Sequence, residues 1–322
     1  MKILVTGGAG FLGTNLVIDL LRQGHSVDVI DNECTSELVD LTGNVVDVFG
    51  DKSGLRVWDV DVKDPTWVTD DYFMETDVVY HLACPASPPM YQRNHLDTLM
   101  TAFMGTKRVL EFAGLRNVPM LFTSTSEIYG DPEVSPQPET YWGKVNSYGP
   151  RACYDEGKRA AEALCYAYAK EAGVDVRIAR LFNTYGPYMD SEDGRVVSNF
   201  IMQSLRGEGI TVYGQGQQVR SLCYVDDTIA GIQAIMHKRP LESTVSIFNI
   251  GNPEPITMMD LAKEIISLTG TDSEIIYQAM PIDDPQTRCP DIMRAKTILD
   301  WQPRVGRTEG LKKTVEYFRR FV

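Results

Sequence analysis

Hydrophobic positions along the chain gather into short solid runs separated by longer amphipathic stretches. Ile3 to Val5, Ser26 to Ile30, Asp77 to Ala83 and Pro119 to Thr123 are compact and apolar, which predicts strands covered on both faces. Val174 to Phe182 and Val245 to Ile250 read the same way, and Leu55 to Val62 alternates like a strand with one wetter face. Helix-period stretches lie between them, through about Gln23, from about Leu96 to Ala113 and from about Gly149 to Glu171. Thr257–Thr269 and Thr308–Phe321 are further helical segments in a more mixed C-terminal part. Residues 33–54 are polar and resist assignment, and Cys84 to Pro89 reads as a rigid proline-rich loop. Strand and helix in alternation predict an α/β fold with a doubly wound parallel sheet, whose ligands bind past the carboxyl ends of the strands.

The first strand runs into Thr6-Gly7-Gly8-Ala9-Gly10-Phe11-Leu12-Gly13, then a helix, then a second strand ending in Asp31-Asn32. Gly7, Gly10 and Gly13 suit a strand–turn–helix phosphate site: one glycine for the tight turn, one for close approach of a pyrophosphate, one for helix–strand packing. An acid 18 residues past Gly13 completes a dinucleotide fingerprint. Asp31 is expected to accept hydrogen bonds from ribose hydroxyls and to repel a 2′-phosphate, which favours NAD over NADP.

Tyr154 precedes Lys158 by four residues, about one helical turn, so both side chains leave one face of the Gly149–Glu171 helix. A lysine ammonium beside a phenol favours the phenolate, a base for a sugar or alcohol hydroxyl. Thr125, past the end of the Pro119–Thr123 strand, supplies a hydroxyl to the same crevice.

Composition narrows the setting. The chain has 322 residues, 43% hydrophobic, enough for a large α/β core with or without a smaller lobe. A net charge of −13 argues against nucleic acid. Six cysteines without metal-type spacing read as reduced thiols of a cytoplasmic protein, and no metal site is expected. No apolar run reaches the roughly 18–20 residues of a membrane span. Met1-Lys2 leads straight into the first strand, which leaves no room for a targeting peptide.

Longer blocks then carry a resemblance: TGGAGFLG at 6–13, HLACPASPPMY at 81–91, STSEIYGDPEVSPQPETYWG at 124–143, GPRACYDEGKRAAE at 149–162, ARLFNTYGP at 179–187, DGRVVSNFI at 193–201, TVYGQGQQVRSLCYVDD at 211–227, FNIGNP at 248–253 and DDPQTRCPDI at 283–292. In these the chain resembles the extended short-chain dehydrogenase/reductases that act on nucleotide sugars, and within them the UDP-glucuronate decarboxylases. The resemblance implies a Rossmann-type NAD-binding domain from 1–183 plus 237–251 and a smaller C-terminal nucleotide-sugar lobe from 184–236 plus 252–322. It implies a homodimer formed through the helices at about 96–113 and 149–171. Around the cofactor it places Gly7, Gly10, Phe11, Leu12, Gly13, Asp31, Asn32, Asp61, Val62, Leu82, Ala83, Tyr154, Lys158 and Thr184. Around a UDP-sugar it places Pro88, Tyr91, Asn183, Asn199, Phe200, Tyr213 and Arg220.

By the same resemblance, Tyr154 takes the C4 hydroxyl proton as C4 gives hydride to NAD⁺, with Lys158 and Thr125 in support. A ketone at C4 makes a C5 carboxylate a β-keto acid, which loses carbon dioxide before C4 is reduced again. The related 4,6-dehydratases have an aspartate where Ser126 stands, and the epimerases usually have a small residue in place of Glu127. Ser126, Glu127 and Arg288 therefore favour a decarboxylase; a 4-epimerase, a dehydratase, a decarboxylase of a modified nucleotide uronate and a non-catalytic NAD-binding regulator are the alternatives. Glu127 beside a substrate carboxylate is expected to have a raised pKa and to donate a proton or hydrogen bond. The chain departs from the family pattern at Met100, where a lysine facing the substrate is usual, at Ala102 for asparagine and at Tyr188 for arginine.

Overall fold

The structure is a computed structural model that describes residues 1–238 and 245–322. Seven parallel strands form the central sheet: β1 (Lys2–Thr6), β2 (Ser26–Asp31), β3 (Leu55–Asp59), β4 (Val78–His81), β5 (Met120–Thr125), β6 (Val176–Leu181) and β7 (Val245–Ile250). Their order across the sheet is β7-β6-β5-β4-β1-β2-β3, so the winding reverses between β1 and β4. There Thr6 of β1 lies between Ile30 of β2 and His81 of β4, and a crevice opens past the strand ends.

The period of two along each strand feeds two cores. Ile3, Val5, Val27, Val29 and Leu121 belong to one, with Leu16, Val17 and Leu20 of α1 (Phe11–Arg22). Leu4, Ile30, Val79, Phe122 and Ile178 face the other way. Both faces are dry, which explains strands that read as solid apolar runs.

The polar stretch 33–54 contains α2 (Leu38–Phe49), whose Leu38, Leu41 and Val45 are buried at helical spacing. The proline-rich loop closes earlier than expected. Pro88–Arg93 is a short helix, α3, because proline fits the first helical position, where no N–H is needed. The single helix expected at 96–113 is broken into α4 (His95–Met100), a π-helical turn (Thr101–Gly105) and α5 (Thr106–Arg116). The turn falls where small residues allow close packing. Ala102 meets Gly157 of α6 (Ala152–Ala172), and a Cβ on Gly105 would lie 2.7 Å from Val62.

Past β6 the chain builds small sheets beside the crevice. Ile210–Tyr213 pairs with Ile275–Gln278, and Val219–Ser221 pairs with both Pro255–Thr257 and Thr287–Arg288. The last pairing sets Arg288 opposite Arg220, 68 residues apart in sequence. The C-terminal helices run over Met258–Thr269, capped by Thr257, and Arg307–Phe318.

Candidate active site

A cavity of about 1140 Å³ runs from the glycine turn after β1 to Arg288. At the glycine end, Gly7 has φ +74°, and a Cβ there would lie 2.5 Å from the Ala83 nitrogen. A Cβ on Gly13 would lie 2.3 Å from the Gly7 carbonyl oxygen. Gly10 is different: an added Cβ would have only the Gly7 oxygen near it, at 3.6 Å, so that side stays open to the cavity. Gly10 caps α1 without a side-chain bond, which leaves first-turn N–H groups for an anion.

Asp31 ends β2 with one carboxylate oxygen accepting from Ala9 N and the other from Glu33 N, each at 3.0 Å. Burial pushes its pKa up, against these backbone donors. Phe11, Leu12, Asn32, Val62, Leu82, Ala83 and Thr184 line the same cavity. Asp61 is not among the lining residues; it accepts a hydrogen bond from Asn32 Nδ2 at 3.2 Å and pairs with Lys63 at 3.1 Å.

Tyr154 and Lys158 emerge together from α6, both buried. The lysine is not spent on the phenol: its Nζ donates to the Thr123 carbonyl at 2.8 Å and lies 5.9 Å from the Tyr154 ring centre. Burial dominates, pushing the Tyr154 phenol well up even though Thr125 hydrogen-bonds to it, and pushing Lys158 down. In the chain alone, therefore, the expected lysine-driven phenolate is outweighed by desolvation. Tyr91 stacks flat on Tyr154, with ring centres 5.0 Å apart and planes 2° from parallel, and its buried hydroxyl has no partner.

Ser126, Glu127 and Arg288 meet beside this pair. Arg288 is 2% exposed; its Nη1 is 3.0 Å from Ser126 Oγ and 2.7 Å from Glu127 Oε1, and its Nη2 donates to the Gly130 carbonyl at 2.9 Å. Glu127 takes a second guanidinium, Arg151 Nη2, at 2.6 Å on Oε2. Burial alone would raise the Glu127 pKa, as the sequence led us to expect, but the Arg288 and Arg151 charges outweigh it and hold the carboxyl well below its ordinary range. Glu127 is thus an anion, and the expectation of a protonated donor is corrected.

Asn183, Asn199, Phe200, Tyr213, Arg220 and Pro88 also line the cavity. Arg220 pairs with Asp284 at 2.9 Å, and Asn199 Nδ2 donates to the Gly194 carbonyl at 3.0 Å. Met100 is 39% exposed and does not line the cavity, so its expected place facing the substrate is corrected. It precedes the π-helical turn at the outer side of α4, whereas Ala102 is buried against α6. Tyr188 does line the cavity, at φ +65°.

Two cavity cations were missed in the sequence. Arg195, paired with Asp193, lies 5.7 Å over the Phe11 ring. Arg151 carries a signal in retrospect, since a cation at a helix N-terminus opposes the macrodipole and calls for a local anion.

Comparison with known proteins agrees with this geometry. The family model described as "NAD dependent epimerase/dehydratase family" matches residues 3–251. UDP-glucuronic acid decarboxylase 1 of Xenopus tropicalis is 48% identical over 319 residues, 99% of this chain and 72% of that protein. UDP-glucuronic acid decarboxylase 6 of Arabidopsis thaliana is 46% identical, covering 99% of this chain and 89% of its own length. Among solved structures, Thermotoga maritima UDP-glucose 4-epimerase with UDP-glucose superposes with a TM-score of 0.89 at 32% identity, covering 100% of this chain and 99% of that one. Bacillus cereus UDP-glucuronic acid 4-epimerase, in complex with UDP-glucuronic acid and NAD, gives 0.88 at 26% identity over 100% of both chains. The chain belongs to the NAD-dependent epimerase/dehydratase family, in the extended short-chain dehydrogenase/reductase group.

Proposed function

We propose that the protein decarboxylates a nucleotide uronate, UDP-glucuronate to UDP-xylose, with NAD regenerated in each turnover. The observation that carries this reading is Arg288, buried beside Ser126 and Glu127 in the cavity that also holds Tyr154. A guanidinium there suits a sugar carboxylate, and the curated relatives bear the name of this reaction.

NAD fits the residues present. The open face of Gly10 and the uncapped first turn of α1 suit its pyrophosphate, Asp31 its adenosine ribose, and Lys158 and Thr184 the nicotinamide end. When bound, NAD⁺ supplies the hydride acceptor for C4 and, reduced, the donor that restores it. Tyr154 then holds the C4 oxygen with Thr125 and takes its proton; a cationic cofactor and the Lys158 ammonium are the charges that favour the phenolate. Arg288 orients the carboxylate, and Ser126 fixes one edge of the guanidinium. The missing aspartate at Ser126 speaks against dehydration.

We assign residues 1–183 plus 237–251 to the cofactor domain and 184–236 plus 252–322 to the sugar-nucleotide lobe; 239–244 lie outside the described residues. The proposed homodimer contact is supported by α4 and α6, which leave Leu96 and Tyr166 exposed, and its test is molar mass in solution. Six free cysteines support a cytoplasmic setting. No helix among the described residues is long and apolar enough to cross a membrane, and no cluster there suits a metal ion.

The test is incubation with NAD⁺ and UDP-glucuronate, followed by product mass. Loss of carbon dioxide supports the reading. Loss of water, or a new sugar of unchanged mass, would replace it with dehydration or epimerisation.

A further inference from the structure

Glu127 is shared. Its Oε1 is 2.7 Å from Arg288 Nη1, and its Oε2 is 2.6 Å from Arg151 Nη2 and 3.3 Å from Arg288 Nη2. A lone Glu127–Arg288 pair would be neutral and would offer little to an anionic sugar. Two guanidiniums on one carboxylate leave one positive charge over.

The neighbouring acids do not cancel it. Asp284 places one oxygen 2.9 Å from Arg220, where it accepts a hydrogen bond, and the other 3.7 Å from Arg151, beyond hydrogen-bond reach, so its closer partner is Arg220. Asp155 Oδ2 is 3.9 Å from Arg151 Nε, while its buried Oδ1 has no hydrogen-bond partner. Burial, with Glu127 nearby, pushes the Asp155 carboxyl up and disfavours its anion. Three arginines thus face two carboxylates that hydrogen-bond to them, Glu127 and Asp284, while Asp155 stays 3.9 Å from Arg151.

Arg151 is also tied to the reacting phenol. Its carbonyl accepts from the Tyr154 and Asp155 nitrogens, each at 3.0 Å, so one residue sets the first turn of α6 and holds Glu127. It is 9% exposed, which leaves little water to screen the arrangement.

We propose that Arg151 is a positioning residue for uronate recognition: by taking one oxygen of Glu127 it keeps Arg288 in place yet leaves its positive charge available to the sugar carboxylate. This rests on the uronate reading above.

The test compares equilibrium binding of UDP-glucuronate and UDP-glucose, which differ at the carboxylate, to the NAD-loaded enzyme. Arg151→Gln should weaken UDP-glucuronate binding by about ten- to a hundredfold, the worth of one charge-assisted hydrogen bond, and leave UDP-glucose within about threefold. Adding Glu127→Gln to that variant removes the carboxylate that would neutralise Arg288 and should restore most of the uronate preference in binding. A purely structural role for Arg151 predicts no such rescue. Equal weakening of both ligands, no weakening of either, or no rescue in the double variant would overturn the proposal. If Arg151→Gln does not fold, Arg151→Lys, which keeps the charge, should retain at least half of the wild-type preference in logarithmic terms, and complete loss of preference there counts against it. Wild-type enzyme that binds the two ligands alike would instead remove the uronate reading itself.

Discussion

His81 ends β4 directly under the catalytic crevice and is 1% exposed. Its Nδ1 lies 2.7 Å from Thr6 Oγ1 and its Nε2 3.0 Å from Thr106 Oγ1, so both ring nitrogens are used by hydroxyls and neither faces an acid. Burial, and then the Lys158 charge, depress its pKa from 6.5 to about 3. The folded-state value is thus below the unfolded one. Above about pH 6.5 both states are neutral and nothing is lost; as pH falls toward 3 the unfolded chain binds a proton that the folded chain refuses. At pH 5 this removes about 2 kcal/mol of stability, from one and a half units at about 1.36 kcal/mol each. Guanidinium unfolding of wild type and His81→Gln between pH 8 and pH 5 isolates the effect, because His25, His95 and His237 are common to both. The wild type should lose about 2 kcal/mol more than the variant over that range. Parallel pH profiles would refute the argument, since they would mean that His81 titrates alike in both states.

Three further outcomes follow from the site. Tyr154→Phe should lower turnover by about a thousandfold while NAD and nucleotide-sugar binding, followed by calorimetry, persist. Gly13→Ala places a Cβ 2.3 Å from the Gly7 oxygen, so it should loosen the glycine turn, with NAD affinity down at least about tenfold and stability by about 1–3 kcal/mol in titration and melting experiments. Tyr91→Phe removes a buried hydroxyl that has no partner; the ligand-free protein should gain about 1 kcal/mol in denaturant unfolding, and weaker substrate binding in the same variant would mark that hydroxyl as a ligand contact.

The sequence alone determined the elements whose signal is local. β1, the glycine turn and Asp31 form one contiguous strand–turn–helix unit, and Tyr154 and Lys158 share a face because a helical turn fixes their spacing. Apolar runs gave the parallel sheet because both of its faces are covered. Local patterns failed where packing between elements decided. The break at Thr101–Gly105 depends on Gly157 and Val62 pressing from α6 and the segment after β3, and Met100 leaves the cavity wall for a reason that no window around it contains. Charge states were likewise tertiary. Glu127 looks like an unmatched acid in sequence, and becomes an anion only because Arg151 from the start of α6 and Arg288 from a strand 161 residues away both reach it. Desolvation acts on Tyr154 and His81 through the whole fold around them, whereas spacing can fix only which neighbours they have along a helix or strand.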